Sequence, residues 1–151
     1  MNNLESEKFE NFLKTRKSEL INELSKTIKL CCEKVRSDIR YDMAHTTRNM
    51  ETSYYTNNKN KAHHPSAPGN PPAPDTGNLR NSINYEIQKD EYTVTGIVGT
   101  TQKNPPYGRF LEYGTSKMAP RPWLRPAMRK NNEFIRKSIS ETIKRVVGGG
   151  E

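Results

Sequence analysis

From Leu4 to about Met50 the chain has neither proline nor glycine, and its apolar residues fall in steps of three, four and seven: Phe9, Leu13, Leu20, Leu24, Ile28, Cys31, Val35, Ile39 and Met43. That spacing keeps one face of an α-helix apolar. Glu19, Glu23, Lys26 and Lys29 put mixed charge on the other faces, as on a solvated surface. Unbroken, such a helix would be about 60 Å long or more at roughly 1.5 Å per residue, which outruns a small domain. It must break, project, or pack on a neighbouring subunit.

The helical pattern gives way at residues 57–78, NNKNKAHHPSAPGNPPAPDTGN, which hold Pro65, Pro68, Pro71, Pro72 and Pro74 and almost no large apolar group. Proline removes backbone donors and pre-sets an extended chain, so this reads as an extended loop and a candidate arm for gripping another chain. Asp75 and Thr76 offer capping oxygens ahead of a short helical turn, NLRNSI. The next stretch, NYEIQKDEYTVTGIVGTT, alternates as a strand does, with Tyr85, Ile87, Tyr92, Val94, Ile97 and Val98 favouring β-structure and QKDE as the turn of a hairpin. Residues 124–147 return to helical spacing through Leu124, Met128, Phe134, Ile135, Ile139, Ile143, Val146 and Val147, and Gly148 is a natural terminator. The expected fold is α+β: a long helix within 1–56, a proline-rich extended loop over 57–78, and a β-hairpin with a C-terminal helix over 79–151, all in one domain.

Composition changes that picture in one respect. Only 31% of the 151 residues are hydrophobic, and the mean hydropathy is −1.00, so the core is small for its surface and partners would help to bury it. The net charge of +8 is uneven: residues 1–50 carry 10 Lys/Arg against 8 Asp/Glu, residues 51–100 carry 4 against 5, and residues 101–151 carry 11 against 4. The C-terminal third therefore suits an acidic partner surface or a phosphate backbone. The start, MNNLESEKFE, lacks the basic flank and apolar stretch of a signal peptide, and no apolar run approaches the roughly 20 residues of a membrane span. Synthesis in the cytoplasm is expected, with the adjacent Cys31 and Cys32 as reduced thiols, since neighbouring cysteines rarely bridge.

The segment YGRFLEYGTSKMAPRPWLRPAM, Tyr107 to Met128, concentrates chemistry without forming a reaction centre. Glu112 is its only carboxylate and has no acidic neighbour there to share general acid-base work, so an ion pair with a surrounding arginine is the expected role. Tyr107, Phe110 and Tyr113 lie at intervals of three, which places them on one helical face, expected to fill the core. The same aromatics beside Arg109, Lys117, Arg121, Arg125, Arg129 and Lys130 are what a basic nucleic-acid-binding module would use, and that is the alternative reading. No phosphate loop or dinucleotide fingerprint is present, and His45, His63 and His64 with the two cysteines make no zinc spacing. A nuclease built from His63, His64 and Asp75 is the remaining enzymatic reading.

Four blocks in order, PDTGNLRNSI (74–83), IVGTT (97–101), YGRFLEYGTSK (107–117) and APRPWLRPAM (119–128), resemble a tailed-phage family of tail-completion or head-to-tail joining proteins. NPPYGRF ahead of LEYGT, and Trp123 in a slot that is more often Phe, depart from the family pattern. The resemblance implies a non-enzymatic virion subunit with no cofactor and no metal. It further implies a ring of copies at the neck, six-fold favoured over twelve-fold, meeting tail-tube, terminator or connector proteins and, transiently, DNA in the channel. Carried onto this sequence, Leu79, Arg80, Leu111, Glu112, Tyr113, Arg121, Trp123 and Arg125 become candidates for a subunit or partner interface. Lys117, Arg121, Arg125 and Arg129 become candidates to face DNA.

Overall fold

A computed structural model describes residues 3–49, 64–100 and 107–148. The elements in chain order are helix α1 (Asn3–His45), helix α2 (Asn78–Ser82), strands β1 (Ile83–Lys89) and β2 (Val94–Thr100), helix α3 (Gly108–Tyr113) and helix α4 (Leu124–Val147). The two strands pair with each other in an antiparallel hairpin. The fold is α+β, as the hydrophobic pattern predicts, and α4 has the predicted bounds.

Helix α1 runs unbroken for 43 residues and stops at His45, short of Met50. Its end is marked by side chains turned onto its own last carbonyls: Thr46 Oγ1 donates to Asp42 O at 2.7 Å, and His45 Nδ1 lies 2.9 Å from Tyr41 O. Such local bonds compete with continued helix, and the β-branched pair Thr46 and Thr47 favours it little. Residues 50–56, read as helix from the sequence, lie outside the described residues.

The hairpin turn falls about two residues later than QKDE suggests, at Asp90–Thr93. Asp90 Oδ1 accepts from the N–H groups of Tyr92 and Thr93 at 2.8 and 2.7 Å, and its Oδ2 accepts from the Thr93 hydroxyl at 2.6 Å. An aspartate that bonds the backbone two and three residues on is a turn former in its own right. Asp90 therefore sets the turn, where the sequence reading weighted the whole polar run.

The described residues cluster into two compact units: Met1–Glu33 with Glu86–Ile97 and Asn132–Glu151, and Lys34–Tyr85 with Val98–Asn131. In the first unit, the Thr27 and Thr142 hydroxyls share a hydrogen bond at 2.8 Å, Arg145 pairs with Glu23 at 3.0 Å, and Lys17 pairs with Glu91 at 2.6 Å. Gly96 of β2 lies so close to α1 that a Cβ there would stand 2.5 Å from Cys32 Sγ and 2.7 Å from Ile28 Cγ2. Only a residue without a side chain permits that approach.

The second unit holds most of the buried apolar side chains, among them Val35, Ile39, Met43, Leu79, Ile83 and Trp123. Residues 64–77 have neither helix nor strand yet are tied into this unit. Asn49 N–H donates to Pro65 O, Gly69 N–H to Pro120 O and Arg48 Nη2 to Pro74 O, each at 2.9 Å. With donors missing at five prolines, the segment is fastened through the Pro65 and Pro74 carbonyls and through the N–H of Gly69. This part of the proline segment is held against its own unit, and 57–63 lie outside the described residues.

Candidate functional site

Helix α4 begins at Leu124 with no Ser, Thr, Asp or Asn before it, so its first N–H groups have no local acceptor. Glu112, on α3, supplies one from twelve residues upstream. Its Oε2 accepts from Trp123 N–H at 2.7 Å and Leu124 N–H at 2.9 Å, and its Oε1 accepts from Arg125 N–H at 3.0 Å. The next residue is Pro126, which has no N–H to satisfy. One carboxylate thus caps the whole helical start, and its charge lies at the positive end of the helix dipole.

The same carboxylate accepts from Arg125 Nε at 2.9 Å, while Arg125 Nη2 donates to the Glu112 carbonyl at 3.1 Å and the guanidinium lies 4.7 Å from the Tyr113 ring centre. Glu112 is only 3% exposed. Burial pushes its pKa up, but the N–H groups of Leu124, Trp123 and Arg125 and the Arg125 guanidinium outweigh that and hold it below the ordinary carboxylate value.

Arg121 fixes the segment before the helix. Its N–H donates to Leu111 O at 2.7 Å, and its buried guanidinium donates through Nε to Ser66 O at 2.9 Å, which binds the proline segment to α3. Trp123 Nε1 donates to Gly108 O at 3.0 Å. A Cβ on Gly108 would stand 3.1 Å from Leu79 Cδ1, so the start of α3 sits directly on Leu79. Gly114 closes α3 at φ 76°, where a Cβ would meet Met118 O at 2.8 Å and Pro120 N at 3.0 Å. Any side chain there would strain that backbone and force a neighbour to shift.

Of the residues the sequence nominates, Leu79, Glu112, Arg121 and Trp123 are brought together in the interior of the second unit. Arg80 and Leu111 are half-buried, whereas Tyr113, Lys117, Arg125 and Arg129 are exposed. The ion pair expected for Glu112 is present and its partner is Arg125. The expected core role of the α3 aromatics is overturned: Tyr107, Phe110 and Tyr113 are 41, 51 and 63% exposed. Their spacing does give them one face, but α3 turns the other face inward, because Glu112 has to reach the α4 donors and Gly108 has to reach Leu79.

The capping role itself escapes sequence reasoning, although one signal for it exists. A 24-residue helix that starts at Leu-Arg-Pro with no cap of its own requires an acceptor from elsewhere, and Glu112 is the only carboxylate in the preceding block.

The arrangement is a structural clamp. Both Glu112 oxygens are engaged by donors, which leaves it neither a proton to give nor an open lone pair facing a substrate. Of the enzymatic candidates, His63 lies outside the described residues, and among the described residues no three His, Cys, Asp or Glu side chains form a cluster able to hold a metal. Cys31 and Cys32 are buried free thiols whose pKa values burial pushes up. Among the described residues no helix is long and apolar enough to cross a membrane.

The chain belongs to the HK97-gp10-like family, described as "Bacteriophage HK97-gp10, putative tail-component", which it matches over residues 8–114. No curated protein and no solved structure matches it. The family is one of phage structural components, in agreement with the tail-completion and joining proteins that the four sequence blocks resemble. The matched stretch ends at Gly114, so it includes Glu112 but not the helix that Glu112 caps.

Proposed function

We propose that this protein is a non-enzymatic subunit of tail completion or head-to-tail joining, and that copies of it close into a ring at the neck of the virion, six-fold in preference to twelve-fold. Family membership over residues 8–114 carries this reading. The Glu112 clamp supports it, since the most distinctive residues of the chain fasten α3, α4 and the proline segment into a rigid module, and a rigid module loses little freedom on docking. The exposed aromatic face of α3 adds surface that a neighbour could cover. Within such a ring, Arg80, Leu111, Tyr113 and Arg125 are the candidates that reach the surface of the unit, with Leu79, Glu112, Arg121 and Trp123 shaping it from beneath.

Negative-stain electron microscopy of the purified protein, alone and with tail-tube or connector proteins, tests this. Rings are expected. Protein that stays monomeric at high concentration and binds none of those partners overturns the proposal.

Contact with DNA in the channel is the weaker reading for the four basic candidates. Arg121 is buried on carbonyl groups and Arg125 is paired with Glu112, whereas Lys117 and Arg129 are exposed. Salt-sensitive DNA binding that weakens on Lys117→Glu and Arg129→Glu would favour it.

A further inference from the structure

The excess positive charge of the chain lies in its second unit, which holds 14 Lys and Arg against 5 Asp and Glu, whereas the first unit holds 11 against 12. Three of those acids are spent inside the unit: Asp38 on Lys34, Asp42 on Lys130 and Glu112 on Arg125. Three arginines gathered at the junction of α2 and β1 have none. Arg36 and Arg40 stand one turn apart on α1. Arg36 Nη1 donates to Asn84 Oδ1 at 3.3 Å, and its guanidinium lies 5.0 Å from the Tyr85 ring centre. Arg40 Nη2 donates to Ile83 O at 2.7 Å and to Asn81 O at 3.2 Å, while its Nε is shut off from solvent with no acceptor. Arg80 precedes Asn81 on α2. All three are half-buried, and among the described residues none forms an ion pair. Burial, with the guanidiniums of Arg36 and Arg80 close by, pushes the Arg40 pKa down. Arginine nevertheless stays charged at neutral pH, so the three repel one another until an anion joins them.

We infer that Arg36, Arg40 and Arg80 receive an acidic segment of a partner protein, whose carboxylates complete the ion pairs that this unit lacks. Charge sets the sign of the partner, and depth sets its kind. A guanidinium fork matches a planar carboxylate through two parallel hydrogen bonds, and guanidiniums already fixed on carbonyls and on a tyrosine ring lose little freedom in making them. Half-buried cations are reached by a projecting Asp or Glu side chain. A DNA backbone is a track of phosphates, met by cations along an exposed surface, which describes Lys117 and Arg129 better than these three. The remaining stretches of the chain are no source of the acid: residues 50–63 hold Glu51 against Lys59 and Lys61, and residues 101–106 hold Lys103 and no carboxylate. The inference rests on the proposed function in one respect, that a subunit of an assembly has neighbours to bring such a segment.

Fluorescence anisotropy of labelled hexaglutamate with the full-length chain at low salt tests the site. Arg36→Gln combined with Arg80→Gln should weaken binding about tenfold or more, and Arg80→Gln alone about threefold. Lys117→Gln combined with Arg129→Gln should leave it within about twofold of wild type. Arg40 is kept, because its bonds to Asn81 and Ile83 hold the junction together. Arg80→Gln removes a like charge and, among the described residues, no hydrogen bond or ion pair, so it should melt no lower than wild type and any loss of binding reports the site itself. Hexaglutamate that does not bind, or that binds every variant alike, overturns the inference. So does a DNA duplex that displaces hexaglutamate from wild type and loses its own affinity in the Arg36 and Arg80 double variant, which would make these arginines a phosphate site. Rings in the electron microscope beside either failure leave the proposed function standing, and arginine-dependent hexaglutamate binding by a protein that never assembles supports the site and overturns that function.

Discussion

Helix α1 carries one amphipathic pattern over its length, yet two stretches of it end in opposite circumstances. At residues 31–43, Cys31, Cys32, Val35, Ile39 and Met43 are all buried, whereas at residues 4–13 Leu4, Phe9, Phe12 and Leu13 are about half exposed or more. Nothing in the periodicity separates the two. A period of 3.6 residues specifies a face, and the rest of the chain decides whether anything covers it. Where this chain supplies a cover, the pattern becomes core; where it does not, the same pattern stays at the surface.

The contrast breaks most sharply at the buried end. Ile39→Ala should cost about 3 kcal/mol, the middle of the range for a large-to-small change at a fully buried site, read as a lowered urea midpoint with an unchanged slope. A cost under about 1 kcal/mol would mean that this stretch is no better covered than the start of the helix.

Glu112→Gln should follow, at about 2 kcal/mol in thermal or urea unfolding. It removes the charge from three helical N–H groups and from Arg125, although Arg125 is half solvated and loses less than a buried partner would. The same carboxylate sets an acid limb. Its pKa in the folded protein lies below the ordinary value of 4.5, so its contribution is complete above that value and is lost as pH falls through the lower folded-state value. Stability measured from pH 6 down to pH 3 should fall less steeply in the glutamine variant than in wild type.

Gly114→Ala should cost about 1–2 kcal/mol in the same assays, because alanine pays for the left-handed backbone and meets the Met118 carbonyl. Last comes Phe9→Ala, which should change monomer stability by no more than about 0.5 kcal/mol. A larger loss at Phe9, measured at a concentration where the protein is monomeric, would show that the start of α1 is covered after all and erase the contrast.

The elements were legible in the sequence because each rests on local rules. The α1 stripe, the alternation around Ile87 and Val94 and the start of α4 at Leu124 all follow from periodicity and from the placement of proline and glycine. The site was legible in part. The pairing of Glu112 with an arginine follows from its being the lone carboxylate among cations. The direction in which α3 faces does not, since Tyr107, Phe110 and Tyr113 satisfy the spacing rule whether they point inward or outward. What decides is the long-range demand of uncapped α4 donors, which no window of a few residues contains. Arg121 shows the same limit from the other side: a cation that looks like surface is buried because its guanidinium joins two segments 55 residues apart.

The distance along the chain from Glu112 to its acceptances at Trp123, Leu124 and Arg125 also bears on the order of folding. Closing a loop of about ten residues takes on the order of 10–100 ns, and loop closure costs more entropy as the separation grows. The clamp can therefore form while Asn131 and Asp38, hydrogen-bonded at 2.8 Å in the native state but 93 residues apart, have yet to meet. A carboxylate that engages three successive N–H groups fixes which residue begins α4.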